Sequence, residues 1–258
     1  MKGSINMFDA RKEKDKIINF IREYYKKNNL GGVVLGVSGG KDSGVVAALF
    51  TEALGKENVL GVTLPCHSLE DDRRLAKVVA DYYGFELINV DLTGTFDAFK
   101  KEIDLLGNYD EDTLKNSDIN LKPRFRMSAV YYLAAMYSAI KGKTYIVAGT
   151  SNKSELYVGY FTKGGDSVHD ISVLADLTVD EVIAVGEVLK VPKEVLYRAP
   201  SDGLSNKTDE EKLGVKYSDI AKYMEKEENV DIEIRKKIKR LHDNNKHKFI
   251  IPTYRKKG

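Results

Sequence analysis

The chain has 258 residues, 42% apolar and 31% charged, with a net charge of +2. That is length enough for one sizeable core, read as a single domain over residues 1–258, and the balanced charge argues against a nucleic-acid partner. One cysteine, Cys66, excludes an intrachain disulfide and a multi-cysteine zinc site, and no apolar run is long enough to span a membrane. The charged start "MKGSINMFDARKEKDK" does not read as a signal peptide, so the expected location is cytoplasmic.

Residues 10–27 put Ile17, Ile18, Ile21, Tyr24 and Tyr25 on one face of an amphipathic helix, which Gly31-Gly32 breaks. The unbroken apolar run from Val33 to Val37 predicts a buried strand. Helices over 43–54, 70–83 and 94–105 then alternate with strands over 59–64 and 85–90. Residues 107–124 are polar and aperiodic and predict a long functional loop or a mobile segment, of which 107–120 is expected to close over substrate together with a second loop at 204–212. A strongly apolar helix follows over 126–140, then a fourth strand over 144–148 and the Gly-rich loop "YFTKGGDSVHD". The helix over 178–189 opens on the capping sequence "TVDE", and further helices run from Gly214 to about Asn244. Strand and helix thus alternate four times. This predicts an α/β fold, a doubly wound and mainly parallel sheet of the Rossmann-like kind with a helical C-terminal extension, its ligands bound at the carboxyl ends of the strands.

The stretch "SGGKDS", Ser38 to Ser43, lies between the first strand and its helix. Glycines there let backbone N–H groups point into a concavity, and the helix N-terminus adds partial positive charge, so the turn suits a phosphate. The string is neither a Walker A loop nor a dinucleotide fingerprint. Asp42 would repel a bare phosphate and makes sense with a cation such as Mg²⁺ between the two.

This loop resembles that of the ATP pyrophosphatase superfamily, whose members cleave ATP between the α and β phosphates and form adenylates. Three further stretches resemble the NAD synthetases of that superfamily. "GTSNKSELYVGYFTKGGDSVHD" carries Thr150, Glu155, Gly159, Phe161, Thr162, Lys163, Gly165, Asp166 and Asp170 at the family's positions. "NLKPRFRM" carries Asn120, Arg124 and Arg126, while "APSDGL" and "HKFIIP" match later motifs. The resemblance implies ATP contacts from Gly36, Val37, Ser38, Gly39, Gly40, Lys41, Asp42, Ser43, Thr150 and Ser201. It implies Mg²⁺ on Asp42 and Glu155, and contacts to deamido-NAD⁺ from Asn120, Arg124, Lys163, Asp170, His247 and Lys248. Asp42, Glu155 and Lys163 are the implied catalytic residues. Arg126 and Asp166 are pattern positions without an assigned role.

The reaction so implied is the last step of NAD biosynthesis: deamido-NAD⁺, ATP and ammonia give NAD⁺, AMP and pyrophosphate through an NAD-adenylate. The residues before Val33 are too few for a glutaminase domain, so direct use of ammonia is expected. A homodimer is also implied. The helix with Tyr131, Tyr132, Met136 and Tyr137 suits either an interface or a two-sided core. Arg124, read as the start of that helix, would oppose the helix dipole and so suggests an anionic partner. Cys66 and His67 read as packing or rim residues near the adenine.

One position departs from the family pattern. Val179 stands where many members have a lysine expected to touch ATP phosphates, and Lys153 or Lys207 is a candidate replacement. Rival readings are another ATP pyrophosphatase and a regulatory protein that senses ATP without turnover.

Overall fold

The structure is a computed structural model that describes residues 8–68, 70–107, 109–198 and 208–256. The apolar runs pair into one parallel sheet. Its strands are β1 (Leu30–Gly36), β2 (Val59–Thr63), β3 (Glu86–Asn89), β4 (Thr144–Gly149) and the two-residue β5 (Ile171–Ser172). They lie in the order β3-β2-β1-β4-β5, all parallel. β1 is central: Val33 and Val34 face Val59 and Leu60 on one side and Ile146 and Val147 on the other.

The pleat sorts these side chains between two layers. Val33, Leu35, Val59, Ile146 and Ala148 join one core with α1 (Ala10–Lys27), α2 (Lys41–Leu54), α3 (Glu70–Tyr83) and, later in the chain, Val179–Leu189. Val34, Leu60, Val62, Tyr145 and Val147 point to the opposite face and meet Val130, Leu133 and Ala134. Both faces are covered, which is why the strands read as continuous apolar runs.

After β3 come α4 (Thr93–Asp104) and α5 (Glu111–Lys141). α5 corrects the expected loop at 107–124, which is helical from Glu111 onward. Asp110 caps it by accepting the Thr113 N–H at 2.8 Å. The Lys100–Asp118 ion pair at 2.9 Å and the packing of Leu121 near Cys66, Leu92 and Phe96 hold its first half. Pro123 lies inside the helix and interrupts its sequence signal. Arg124 therefore sits mid-helix, and the dipole argument for an anionic partner falls.

α6 (Lys153–Val158), α7 (Val179–Leu189) and α8 (Lys193–Leu196) follow β4. α9 (Asp209–Leu213), α10 (Tyr217–Glu225) and α11 (Ile232–Asn245) complete the C-terminal extension. The short helices α6, α8 and α9 were not expected, because a turn or two of helix shows no periodicity. The extension folds back on α6 and α7: Leu213, Val215, Tyr217, Ile220 and Ile238 pack with Val158 and Val179. Val179 is thus a core residue at the first position of α7, capped by Thr178.

The chain runs from β1 outward through β2 and β3, then returns to β4 and β5 on the other side of β1. The point of reversal lies between β1 and β4. Crevices open there in doubly wound sheets.

Candidate active site

β1 ends as the Val37 N–H donates to the Val62 carbonyl at 2.9 Å. The chain then turns through Gly39 at φ +75°, a conformation that favours glycine. A Cβ at Gly39 would stand 2.5 Å from the Asp72 carbonyl oxygen, so the first turn of α3 rests directly on the loop. Serine hydroxyls close the turn: the Ser38 N–H donates to Ser43 Oγ at 3.2 Å, and Ser43 Oγ donates to the Gly40 carbonyl at 3.1 Å. Gly40 is the N-cap of α2 and offers no side-chain acceptor. The first N–H groups of α2 remain for a ligand.

Asn152 brings the two expected metal carboxylates together. Its side-chain amide donates to Asp42 Oδ1 at 3.1 Å, and its backbone N–H donates to Glu155 Oε2 at 3.1 Å. The second bond belongs to a capping box that starts α6. Burial, and then the charge of Asp42, hold the Glu155 carboxyl well above the usual carboxylate range. Lys41 Nζ donates to Asp42 Oδ2 at 2.8 Å and lies 5.9 Å from the centre of the Tyr217 ring. Burial works against the Lys41 ammonium, but Asp42, Glu155 and Asp209 outweigh it and hold its pKa above the ordinary lysine value. Asp209 is buried and accepts the Tyr160 hydroxyl at 3.0 Å. Two mutually repelling carboxylates beside a phosphate loop fit Mg²⁺, which binds one or two carboxylates and fills its shell with phosphate oxygens and water. Among the described residues no group of three or more His, Cys, Asp or Glu is placed to hold a metal by itself.

Lys41, Asp42, Glu155, Tyr160 and Asp209 line a cavity of about 340 Å³ at the point of strand reversal. Ligand pockets run from about 300 Å³ upward. One wall is apolar, formed by Val62, Leu64, Met127 and Val130. The rest of the lining includes Ser38, Gly40, Lys41, Asp42 and Ser43, with Thr150 and Glu155. Gly36 and Val37 also line the cavity, whereas Gly39 faces α3 and does not. Ser201 and Lys207 lie outside the described residues. Lys153 pairs with Asp176 at 2.9 Å and does not line the cavity.

The residues expected at the dinucleotide form a second group, beside the cavity. Asn120 Oδ1 accepts the Thr162 hydroxyl at 3.0 Å, and Arg124 Nε donates to the Lys163 carbonyl at 3.3 Å. Lys163 Nζ donates to the His247 carbonyl at 3.0 Å, while Lys248 Nζ donates to the Gly159 and Phe161 carbonyls at 2.6 and 2.9 Å. Five of the six thus clamp the Gly-rich loop between α5 and the C-terminal segment. The sixth, Asp170, spends both oxygens on the fold: one accepts the Tyr131 hydroxyl at 3.0 Å, the other the Val147 N–H at 2.8 Å. Cys66 is buried, and His67 pairs with Asp97 at 2.7 Å, which agrees with packing and rim roles.

The cavity wall also holds residues to which the sequence assigned no role. Arg126 reaches back to the Leu64 carbonyl at 3.1 Å and Ser68 Oγ at 3.2 Å. Arg198 pairs with Asp72 at 2.7 Å. Asp166 accepts the Thr162 N–H at 2.8 Å, and partial desolvation pushes its carboxyl up. Tyr160 and Asp209 join from distant parts of the chain. Only the pattern positions Arg126 and Asp166 had any signal in the sequence.

A parallel α/β sheet with this loop at its switch point is a nucleotide-binding fold of the PP-loop class. Within that class, residues 13–252 match the NAD synthase family model, and the chain belongs to that family. It is 39% identical to the NH(3)-dependent NAD(+) synthetase of Methanocaldococcus jannaschii, over 92% of this chain and 94% of the relative. The enzyme of the same name from Carboxydothermus hydrogenoformans is 35% identical, with the same shares covered. Among solved structures, NMN synthetase from Francisella tularensis superposes with a TM-score of 0.85 at 28% identity, covering 96% of this chain and 99% of that one. The NH3-dependent NAD synthetase from Campylobacter jejuni gives 0.76 at 29% identity, covering 96% of this chain and 100% of that one.

Proposed function

We propose that this chain is a ligase that amidates deamido-NAD⁺ with ammonia at the expense of ATP, releasing NAD⁺, AMP and pyrophosphate. The observation that carries the reading is the joining of Asp42 and Glu155 by Asn152 at the mouth of the phosphate loop. A carboxylate cannot be amidated at neutral pH until one oxygen becomes a good leaving group. Adenylation does this, and it requires the site to hold a polyphosphate whose charge grows as it departs.

The first N–H groups of α2 would meet that polyphosphate, while the Gly40 N–H donates to Ser38 Oγ at 3.3 Å and holds the turn. The apolar wall of Val62, Leu64, Met127 and Val130 offers a flat slot for adenine and keeps water from it. Lys41 lowers the repulsion between Asp42 and the phosphates by lying against that carboxylate. Asp42 and Glu155 would hold Mg²⁺, which when bound neutralises phosphate charge. The clamp of Asn120, Arg124, Lys163, His247 and Lys248 borders the cavity through Tyr160, Gly165 and Asp166, where the dinucleotide would extend. No covalent enzyme nucleophile is needed, because ammonia attacks the acyl-adenylate directly. The active form would be a cytoplasmic homodimer. Exposed Tyr132, Met136 and Ile140 on one face of α5 support the dimer, and a lone, buried Cys66 agrees with a reducing compartment.

The higher TM-score of the NMN synthetase favours a second reading, in which the acceptor is nicotinate mononucleotide. Carboxylate-¹⁸O substrates test both. Adenylation moves one ¹⁸O into AMP. Label in AMP with deamido-NAD⁺ and a higher kcat/KM than with the mononucleotide is the expected result. Preference for the mononucleotide would select the second reading, and unlabelled AMP would rule out the adenylate.

A further inference from the structure

Arg73 and Arg74 are neighbours in the first turns of α3, yet their surroundings differ. Both side chains are more than half exposed and line a shallow pocket beside β2 and β3, but Arg74 is firmly engaged. Its Nε donates to Asp71 at 2.8 Å and a terminal nitrogen donates to Glu194 at 2.8 Å, tying α3 to α8. Arg73 lines the nucleotide cavity, and its ion-pair partner, Glu70, is highly exposed and 4.0 Å away.

The other Lys and Arg side chains on the cavity wall, among the described residues, are engaged at short range. Lys41 holds Asp42, Arg126 holds the Leu64 carbonyl and Ser68, and Arg198 holds Asp72. Position adds to this. The first turn of α3 rests on the phosphate loop, where a Cβ at Gly39 would meet the Asp72 carbonyl at 2.5 Å and Leu75 Cβ at 2.9 Å. Arg73 follows Asp72 and shares the cavity wall with Ser38 and Gly40. Asp42, Glu155, Asp72 and Asp209 line the same cavity, so a polyphosphate there meets several carboxylates. A loosely paired guanidinium beside the loop supplies charge and a planar fork that matches two phosphate oxygens.

We propose that Arg73 binds the β- and γ-phosphate oxygens of ATP and retains them as the departing pyrophosphate. The proposal rests on the ATP-dependent reading above. It assigns to Arg73 the cationic role that Val179 cannot fill.

The test compares the full-length protein with Arg73→Gln, Arg73→Lys and the control Arg74→Gln. Magnesium pyrophosphate binding is measured by calorimetry, and KM for ATP by AMP release. Arg73→Gln should bind magnesium pyrophosphate about tenfold or more weakly and raise KM for ATP similarly, the loss expected for a charge-assisted pair. Arg73→Lys should recover part of both, while KM for the nicotinate substrate and for ammonium stays unchanged. Arg74→Gln should bind magnesium pyrophosphate like wild type. Equal binding by Arg73→Gln and wild type would overturn the proposal, as would equal losses in Arg73→Gln and Arg74→Gln or no binding by wild type. A wild type that binds magnesium pyrophosphate but makes no NAD⁺ would overturn the acceptor assignment alone, and the Arg73 comparison by calorimetry would still decide this proposal.

Discussion

Asp166 lies at a solvent-exposed position on the cavity wall, its carboxylate accepting the Thr162 N–H at 2.8 Å. Partial desolvation of the carboxylate raises its pKa, while the Thr162 N–H and the charges of Lys248 and Arg126 pull it back without cancelling the rise. Near pH 3 the group is largely protonated in both folded and unfolded chains. As pH rises through about 4, the unfolded carboxyl ionises first, so unfolding gains. The wild type should therefore lose stability relative to Asp166→Asn as pH climbs from about 4 to the raised pKa, by a small amount because solvent screens this exposed side chain, with a constant gap above it. Urea unfolding of both proteins from pH 4 to 8 measures this. A gap that moves the other way would mean that the folded site favours the charged form.

At the scale of elements, α5 and the Gly-rich loop are joined by close packing. A Cβ at Gly165 would lie 2.9 Å from Pro123 Cβ and 3.0 Å from the Pro123 carbonyl carbon, tighter than side chains tolerate. Gly165→Ala should cost about 1–3 kcal/mol of stability, the usual cost of overpacking, and raise KM for the dinucleotide by displacing the clamp. Unchanged urea midpoint and KM would show that the loop moves freely past α5. The same contact explains what the sequence concealed. β1, β2, β4 and α1 to α3 were legible because each buries a stripe or run of apolar side chains, whereas the two-residue β5 gave no signal. The first half of α5 was not, because few of its residues are apolar, Pro123 breaks the pattern, and its support comes from Lys100 and Leu121's distant neighbours. The phosphate loop was legible for a local reason: its glycines and serines serve a single turn. Asn152, Tyr160, Arg198 and Asp209 were invisible as site residues, since each acts through a partner remote in sequence.

At the scale of the molecule, the fold places the Ser38–Ser43 loop at the switch point and leaves Tyr132, Met136 and Ile140 of α5 exposed. Tyr132, Met136 and Ile140 recur at helical spacing and are 73%, 38% and 65% exposed, on a helix whose other side covers the sheet. Sedimentation should give a mass about twice 28.9 kDa, and Tyr132→Glu with Met136→Glu should release monomers that stay folded. A wild-type monomer at micromolar concentration would remove the dimer from the account. The central claim is chemical, and its most direct test is product stoichiometry. Purified protein is given ATP, Mg²⁺, ammonium and deamido-NAD⁺ beside an Asp42→Asn control. NAD⁺, AMP and pyrophosphate should form in equal amounts, with a loss on the order of a hundredfold in the control. AMP without NAD⁺, ADP in place of AMP, or full activity in the control would contradict the central claim.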